Sequence, residues 1–169
     1  MDASFFDLDI EIEKFFDESI ERLQKRFLTI YSIRLEASKT LIHLLSQPES
    51  LHAVIALPPS GLLAGYLNTV KKANGIVVAV DDTPESILER IVFYDIDSKP
   101  MTKSLSQNEK QWYLKDIKKD VTYFGKSYKR AHLRVDIAGM DANEATLAIK
   151  DRVDGFTRQV LILDLPDKN

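Results

Sequence analysis

Asp7 and Asp9 stand one residue apart in the run Phe5-Phe6-Asp7-Leu8-Asp9-Ile10-Glu11-Ile12-Glu13-Lys14, where a β-like stretch gives way to a helical pattern. Two carboxylates so placed can hold a divalent cation or accept hydrogen bonds from substrate hydroxyls. The plainer account is an acid pair at a helix N-terminus, where negative charge is favoured by the peptide dipoles. His43, His52 and His132 are too far apart to form a metal motif and have no Glu-x-x-His partner, so they read as structural. There is no cysteine, which excludes a thiol nucleophile, a thiolate metal site and a disulfide framework. The phosphate-binding pattern Gly-x-x-x-x-Gly-Lys-(Ser/Thr) does not occur in these 169 residues. The single Gly-Lys pair, Gly125-Lys126-Ser127, lacks the upstream glycine and reads as a loop. Trp112, Tyr113, Tyr123, Phe124 and Tyr128 are interleaved with lysines as in a surface that stacks single-stranded nucleic acid. Glu109, Asp116 and Asp120 dilute that charge, and a lid that packs its aromatics on closing is the reading adopted.

These groups have to be positioned by one compact domain, residues 1–169, because 169 residues leave no room for a second. Apolar residues make up 44% and charged residues 29%, so collagen-like and disordered classes are poor fits. A net charge of −3 argues against an unspecialised polyanion binder, and no nucleic-acid partner is expected. No apolar window reaches membrane-spanning length and the N-terminus is acidic, so neither a membrane partner nor a secretory signal is expected, and the default compartment is the cytoplasm.

Ser4 to Leu8 is a short strand. Phe16, Ile20, Leu23 and Phe27, spaced four, three and four apart, then mark one helix face. A further helix runs from about Thr29 to Ser46. His52 to Leu57 and Gly75 to Val80 are continuous apolar runs, the pattern of parallel strands buried on both faces, with a crossover helix over Leu62 to Lys72. Thr83-Pro84-Glu85 opens another helix. Residues 95–126 are polar and irregular, a lid or binding region with some helix of its own. Leu133 to Ile137 is a third strand, a helix follows from Asp141 to about Val153, and Gln159 to Leu165 is a fourth apolar run. Strands alternating with helices give an α/β fold, three layers around a mostly parallel sheet.

The order of these elements resembles the shikimate kinase family of small P-loop phosphotransferases. The resemblance rests on Asp7-Leu8-Asp9 with Glu11-Ile12-Glu13-Lys14, on Arg34-Leu35-Glu36, and on the strand and turn from Val54 to Gly61. It continues through Thr83-Pro84-Glu85, Glu89-Arg90-Ile91, Lys99-Pro100-Met101, and Tyr128 with Ala131, covering most of residues 4–153. It implies transfer of the ATP γ-phosphoryl group, with magnesium, to a shikimate hydroxyl, a reaction of positioning and charge neutralisation. By resemblance Asp7 and Asp9 are the catalytic carboxylates, Asp7 lying near the metal and Asp9 on the substrate hydroxyls. Arg34, Pro59, Ser60, Lys99 and Lys126 are substrate-binding candidates, and Arg90 with Lys99 nucleotide-binding ones.

Several of those positions depart from the family pattern. The family's carboxylate-binding arginine falls on Ile33, and Arg34, one residue along and so about 100° around a helix, cannot simply replace it. The family's Gly-Gly-Gly turn falls on Pro58-Pro59-Ser60, where proline has no amide hydrogen to give a ligand. Lys99 keeps the charge of a family arginine without its bidentate fork, and a later arginine position is Phe124, with Lys126 nearby. The family's first strand, phosphate loop and first helix are expected to have no counterpart at this end of the sequence. A central strand cannot be left out without orphaning two rows of backbone groups. Gln159 to Leu165 is therefore expected to fill that slot, in its own chain or by exchange in a homodimer. The expected function is a shikimate-kinase-like protein without ATP-dependent phosphotransfer and without a cofactor, binding a small anionic metabolite or a protein partner. The alternative is an ATP- and magnesium-dependent shikimate kinase whose phosphate loop is missing from this start site or is supplied by another chain.

Overall fold

Short apolar runs ended by polar turns make the strands of this chain, and capped amphipathic stretches make its helices; a computed structural model describes residues 3–163. The molecule divides into two units, residues 1–74 with 91–109, and residues 75–90 with 110–169.

In the first unit, β1 (Ser4–Asp7) pairs in parallel with β2 (Ala53–Ala56), setting Phe5 opposite Val54 and Phe6 opposite Ile55. Helix α1 (Leu8–Phe16) follows without a loop because Asp7 caps it: the Asp9 N–H donates to Asp7 Oδ1 at 2.9 Å. The apolar stripe from Phe16 to Phe27 is not one helix. Asp17 takes the left-handed conformation at φ 51°, its N–H donating to the Glu13 carbonyl, and Ser19 then caps a separate helix α2 (Ile20–Arg26). The stripe's period survives because both helices bury the same four residues against one core. Thr29 caps α3 (Ile30–Leu45), accepting from Ser32 N–H at 3.1 Å, and a single 3₁₀ turn at Pro48–Ser50 leads into β2. Helix α4 (Ala64–Val70) packs on α3.

Leu8, Ile12, Leu23, Ala37, Leu41 and Tyr66 form the core of this unit, with Phe16, Ile20, Phe27 and Ile55 against it. Phe5 and Val54, on the other face of the strand pair, stay 67% and 57% exposed, so β2 is not buried on both faces as its apolar run suggests. The helices α3 and α4 approach closely because Gly65 has no side chain: a Cβ there would lie 2.5 Å from Ser38 Oγ and 2.9 Å from Ser38 Cβ. Gly65→Ala is therefore expected to destabilise by about 1–2 kcal/mol in urea unfolding, overpacking outweighing the ~1 kcal/mol gain in helix propensity. Unchanged or raised stability would show that the two helices yield to the extra methyl.

The antiparallel pair β4 (Phe93–Tyr94) and β5 (Pro100–Met101) also belongs to this unit. Its connecting turn docks on the α1–α2 junction. Arg22 donates to Asp97 Oδ1 at 2.7 and 3.1 Å, Ser19 Oγ donates to the Ile96 carbonyl at 2.6 Å, and Ser98 Oγ to Glu13. Asp95 folds the turn by accepting from the N–H groups of Asp97 and Lys99, and the Lys99 bond holds its carboxyl below the usual range.

In the second unit β3 (Val78–Asp81) pairs in parallel with β6 (Leu133–Asp136), and Arg134 closes the strand ends with two bonds to Asp81 at 2.7 and 2.9 Å. Helix α5 (Pro84–Arg90) begins at the expected Thr83 cap, with Ser86 N–H donating to Thr83 Oγ1 at 3.2 Å. The stretch expected to be mostly irregular is taken up by α6 (Gln107–Tyr128), whose first three residues fall in the first unit. A reciprocal cap starts it: Ser106 N–H donates to Glu109 Oε2 at 2.9 Å, and Glu109 N–H to Ser106 Oγ.

The C-terminal run is a correction to the sequence reading. Helix α7 (Ala142–Leu163), started by Asp141 and Glu144 capping each other, does not stop near Val153 but continues through the residues expected to form a central strand. Asp164 and Leu165 lie outside the described residues. A run of four apolar residues, Val160 to Leu163, fits either period, and no proline or turn cluster separates it from the helix before it. The strand that was to carry a homodimer is thus helix as far as Leu163. Among the described residues no helix is long and apolar enough to cross a membrane.

Candidate functional site

A cleft of about 490 Å³ opens in the first unit, within the ~300–1,000 Å³ usual for small-molecule sites. Helix α1 gives it Asp9 and Ile12 from its first turns, α2 gives Ile20 and Leu23, and α3 gives Ile33, Arg34 and Ala37. The turn after β2 adds Pro58 and Ser60, and α4 adds Tyr66. That turn is fixed by the Gly61 N–H donating to the Pro58 carbonyl at 2.8 Å. Only glycine fits at 61, since a Cβ would sit 2.7 Å from that of Leu57.

Asp9, Arg34 and Tyr66 form one polar corner of the cleft, and Gln24, Thr29 and Ser60 add further polar side chains to a lining that is otherwise apolar. Solvent reaches Asp9 at the rim, yet protein packed around its carboxyl raises its pKa above the ordinary value, with the negative charges of Asp7 and Glu13 adding to the shift. Tyr66 is 2% exposed, and burial, then the charge of Asp9, push its hydroxyl above its usual value while Arg34 pulls the other way. The phenol therefore stays protonated and can donate to an anionic ligand.

The shift at Asp9 fixes the sign of its effect on stability. A carboxyl whose pKa rises on folding is bound more tightly to its proton in the folded state, so its contribution is favourable below about 3.8 and is lost as pH rises through the folded value. Asp9→Asn is accordingly expected to melt higher than the parent at pH 7, with the difference shrinking as the pH falls toward 3.8. A lower melting temperature for the variant at pH 7 would show that the charge is stabilising where it stands.

Of the positions singled out from sequence, Asp9, Arg34 and Ser60 line the cleft. Ile33 and Arg34 both do so, because the cleft wraps over α3 from Ile30 to Ala37 and more than one helix face meets it. Pro59 is exposed and outside the lining, while its neighbours Pro58 and Ser60 are in it. Asp7 turns its carboxylate onto the backbone of Asp9, and Lys99 is exposed at the end of the Asp95 turn. Arg90 and Lys126 belong to the second unit, where Arg90 meets Asp82 at 3.1 Å and donates to the Met140 carbonyl at 2.7 Å. Tyr66 and the apolar wall were missed. A tyrosine inside an apolar crossover helix carries no motif, and its one usable signal is the short distance in sequence to the Gly61 turn.

Among the described residues the one Gly-Lys-Ser does not form a phosphate-binding loop. Gly125-Lys126-Ser127 is not a loop but the last turns of α6, with Ser127 buried and its hydroxyl donating to the Phe124 carbonyl at 2.7 Å. Amides committed to a helix cannot curl around a phosphate as a glycine-rich loop does. Nor do three or more His, Asp or Glu residues gather to hold a cation among the described residues.

No protein-family model matches the chain, and no curated protein does. Solved structures do. The shikimate kinase of Bacteroides thetaiotaomicron aligns with a TM-score of 0.71 at 15% identity, over 92% of this chain and 84% of that one. The shikimate kinase of Aquifex aeolicus aligns with a TM-score of 0.60 at 22% identity, over 94% and 84%. The chain has a shikimate-kinase-like α/β fold.

Proposed function

We propose that this chain binds a small anionic metabolite in the cleft of its first unit and does not itself transfer phosphate from ATP. The observation that carries the reading is the cleft's polar corner, in which Arg34 supplies positive charge beside Asp9 and the Tyr66 hydroxyl. An acid group pairs with Arg34, a ligand hydroxyl donates to Asp9, and Tyr66 donates to the ligand's remaining oxygen. The fold, shared with shikimate kinases, supports an acceptor-type site at this place, since Asp9 lies in the first turn of the helix that follows β1. The nucleotide half has no such support, because the only Gly-Lys-Ser is helical. Asp9 in the cleft also favours a second reading, a shikimate kinase whose phosphate loop comes from another chain.

Thermal-shift titration with small carboxylic acids, and separately with ATP and magnesium, tests the proposal. At 100 times its dissociation constant a ligand of the folded state adds about 2.7 kcal/mol. Stabilisation by an acid and none by ATP is the expected pattern. If no acid shifts the melting temperature, the binding proposal fails; if ATP with magnesium does, the nucleotide part fails.

A further inference from the structure

We infer that the exposed face of α6, on the second unit, is a docking surface for single-stranded nucleic acid. Along this 22-residue helix only Ile117 and Ser127 are buried, and no other element packs along it at length among the described residues. At about 100° per residue, Trp112, Lys115, Lys119, Tyr123 and Lys126 fall within roughly 80° of arc, on the side away from Ile117. All five are exposed, Trp112 at 78% and Tyr123 at 54%. Two rings on the solvent side of a helix contribute little to its core. A T-shaped contact with Phe124, ring centroids 5.0 Å apart, steadies Tyr123 where it stands.

The chain's net charge of −3 is not the charge of this face. The acids of the helix, Glu109, Asp116 and Asp120, all fall beyond the stripe on its Tyr123 flank. Two of them are engaged: Glu109 accepts from the Ser106 hydroxyl at 2.8 Å, and Asp116 pairs with Lys119 at 2.7 Å. Lys115, Lys126 and, just past the helix end, Lys129 make no ion pair among the described residues. An acidic peptide would meet the lysines and leave the rings in water, and a bilayer surface would need an apolar stripe that this face lacks. Single-stranded nucleic acid brings a polyanionic backbone and flat apolar bases together, and the stripe has a partner for each. The two rings stand about 16 Å apart along the helix axis, so each takes its own base while lysines meet the phosphates between and beside them.

Trp112 is the chain's only tryptophan, so its emission reports on this face alone. An oligothymidylate of about ten nucleotides, within the site sizes of single-strand binders, is expected to quench it saturably at low salt. Affinity is expected to fall with salt at a log–log slope of about −2, three lysines at ~0.7 each. Polyglutamate of matched charge is expected to bind at least tenfold more weakly. By anisotropy of a labelled oligothymidylate, Trp112→Ala is expected to weaken binding by about tenfold or more and Trp112→Phe to keep part of the affinity. Both variants should melt as the parent does, as is usual at exposed positions. Polyglutamate binding as tightly as the oligonucleotide would make this a surface for acidic polypeptides and overturn the inference. Absence of quenching, or an affinity indifferent to Trp112→Ala, overturns it as well.

Discussion

Leu8→Ala is expected to lower the stability of the first unit by about 3–5 kcal/mol, the upper part of the range for leucine truncation in a rigid core. Leu8 is 0% exposed, and it sits at the junction where β1 becomes α1. Its neighbours in sequence do different work: Asp7 caps the helix and Asp9 enters the cleft. The side chain between them anchors both by packing with Ile12, Leu41 and Tyr66. A cavity there cannot collapse easily, since strand and helix are joined without a loop that could take up the movement. Urea unfolding of parent and variant measures the loss. A change below about 1 kcal/mol, the size usual for surface substitutions or little more, would mean that the junction is looser than its burial implies.

Arg34→Ala is expected to weaken binding of a carboxylate ligand by about 10–100-fold, as loss of a hydrogen bond to a charged group at roughly 1.5–3 kcal/mol requires. Arg34→Lys keeps the charge but not the planar fork and should recover only part of the affinity. The two variants together separate charge from geometry. Titration calorimetry against the acid that stabilises the parent gives both values; equal affinity in parent and Arg34→Ala would remove Arg34 from the site.

Much of this architecture is legible in the sequence because caps and turns are local. Asp7, Thr29, Thr83 and Asp141 each start a helix where their type and position say they should, since one side-chain oxygen meeting one free N–H decides the outcome. What was not legible depends on contacts distant in sequence or on periods that short runs share. The break at Asp17 hides inside a helical stripe because Phe16 and Ile20 meet the same core from two helices. Val160 to Leu163 reads as strand or helix with equal ease, and the helix already running from Asp141 decides it. In the site, Asp9 and Arg34 were visible as charged residues in recognisable order. Tyr66 was not, because its role comes from α4 lying against α3 across the close contact at Gly65.

The most direct test is turnover of ATP with shikimate and magnesium by the purified 169-residue chain, followed by a coupled release assay at saturating substrates. The expected result is no product above the uncatalysed background, in a preparation that still binds a carboxylic acid in the first-unit cleft. Turnover on the order of 1–100 s⁻¹, the range of competent kinases, contradicts it.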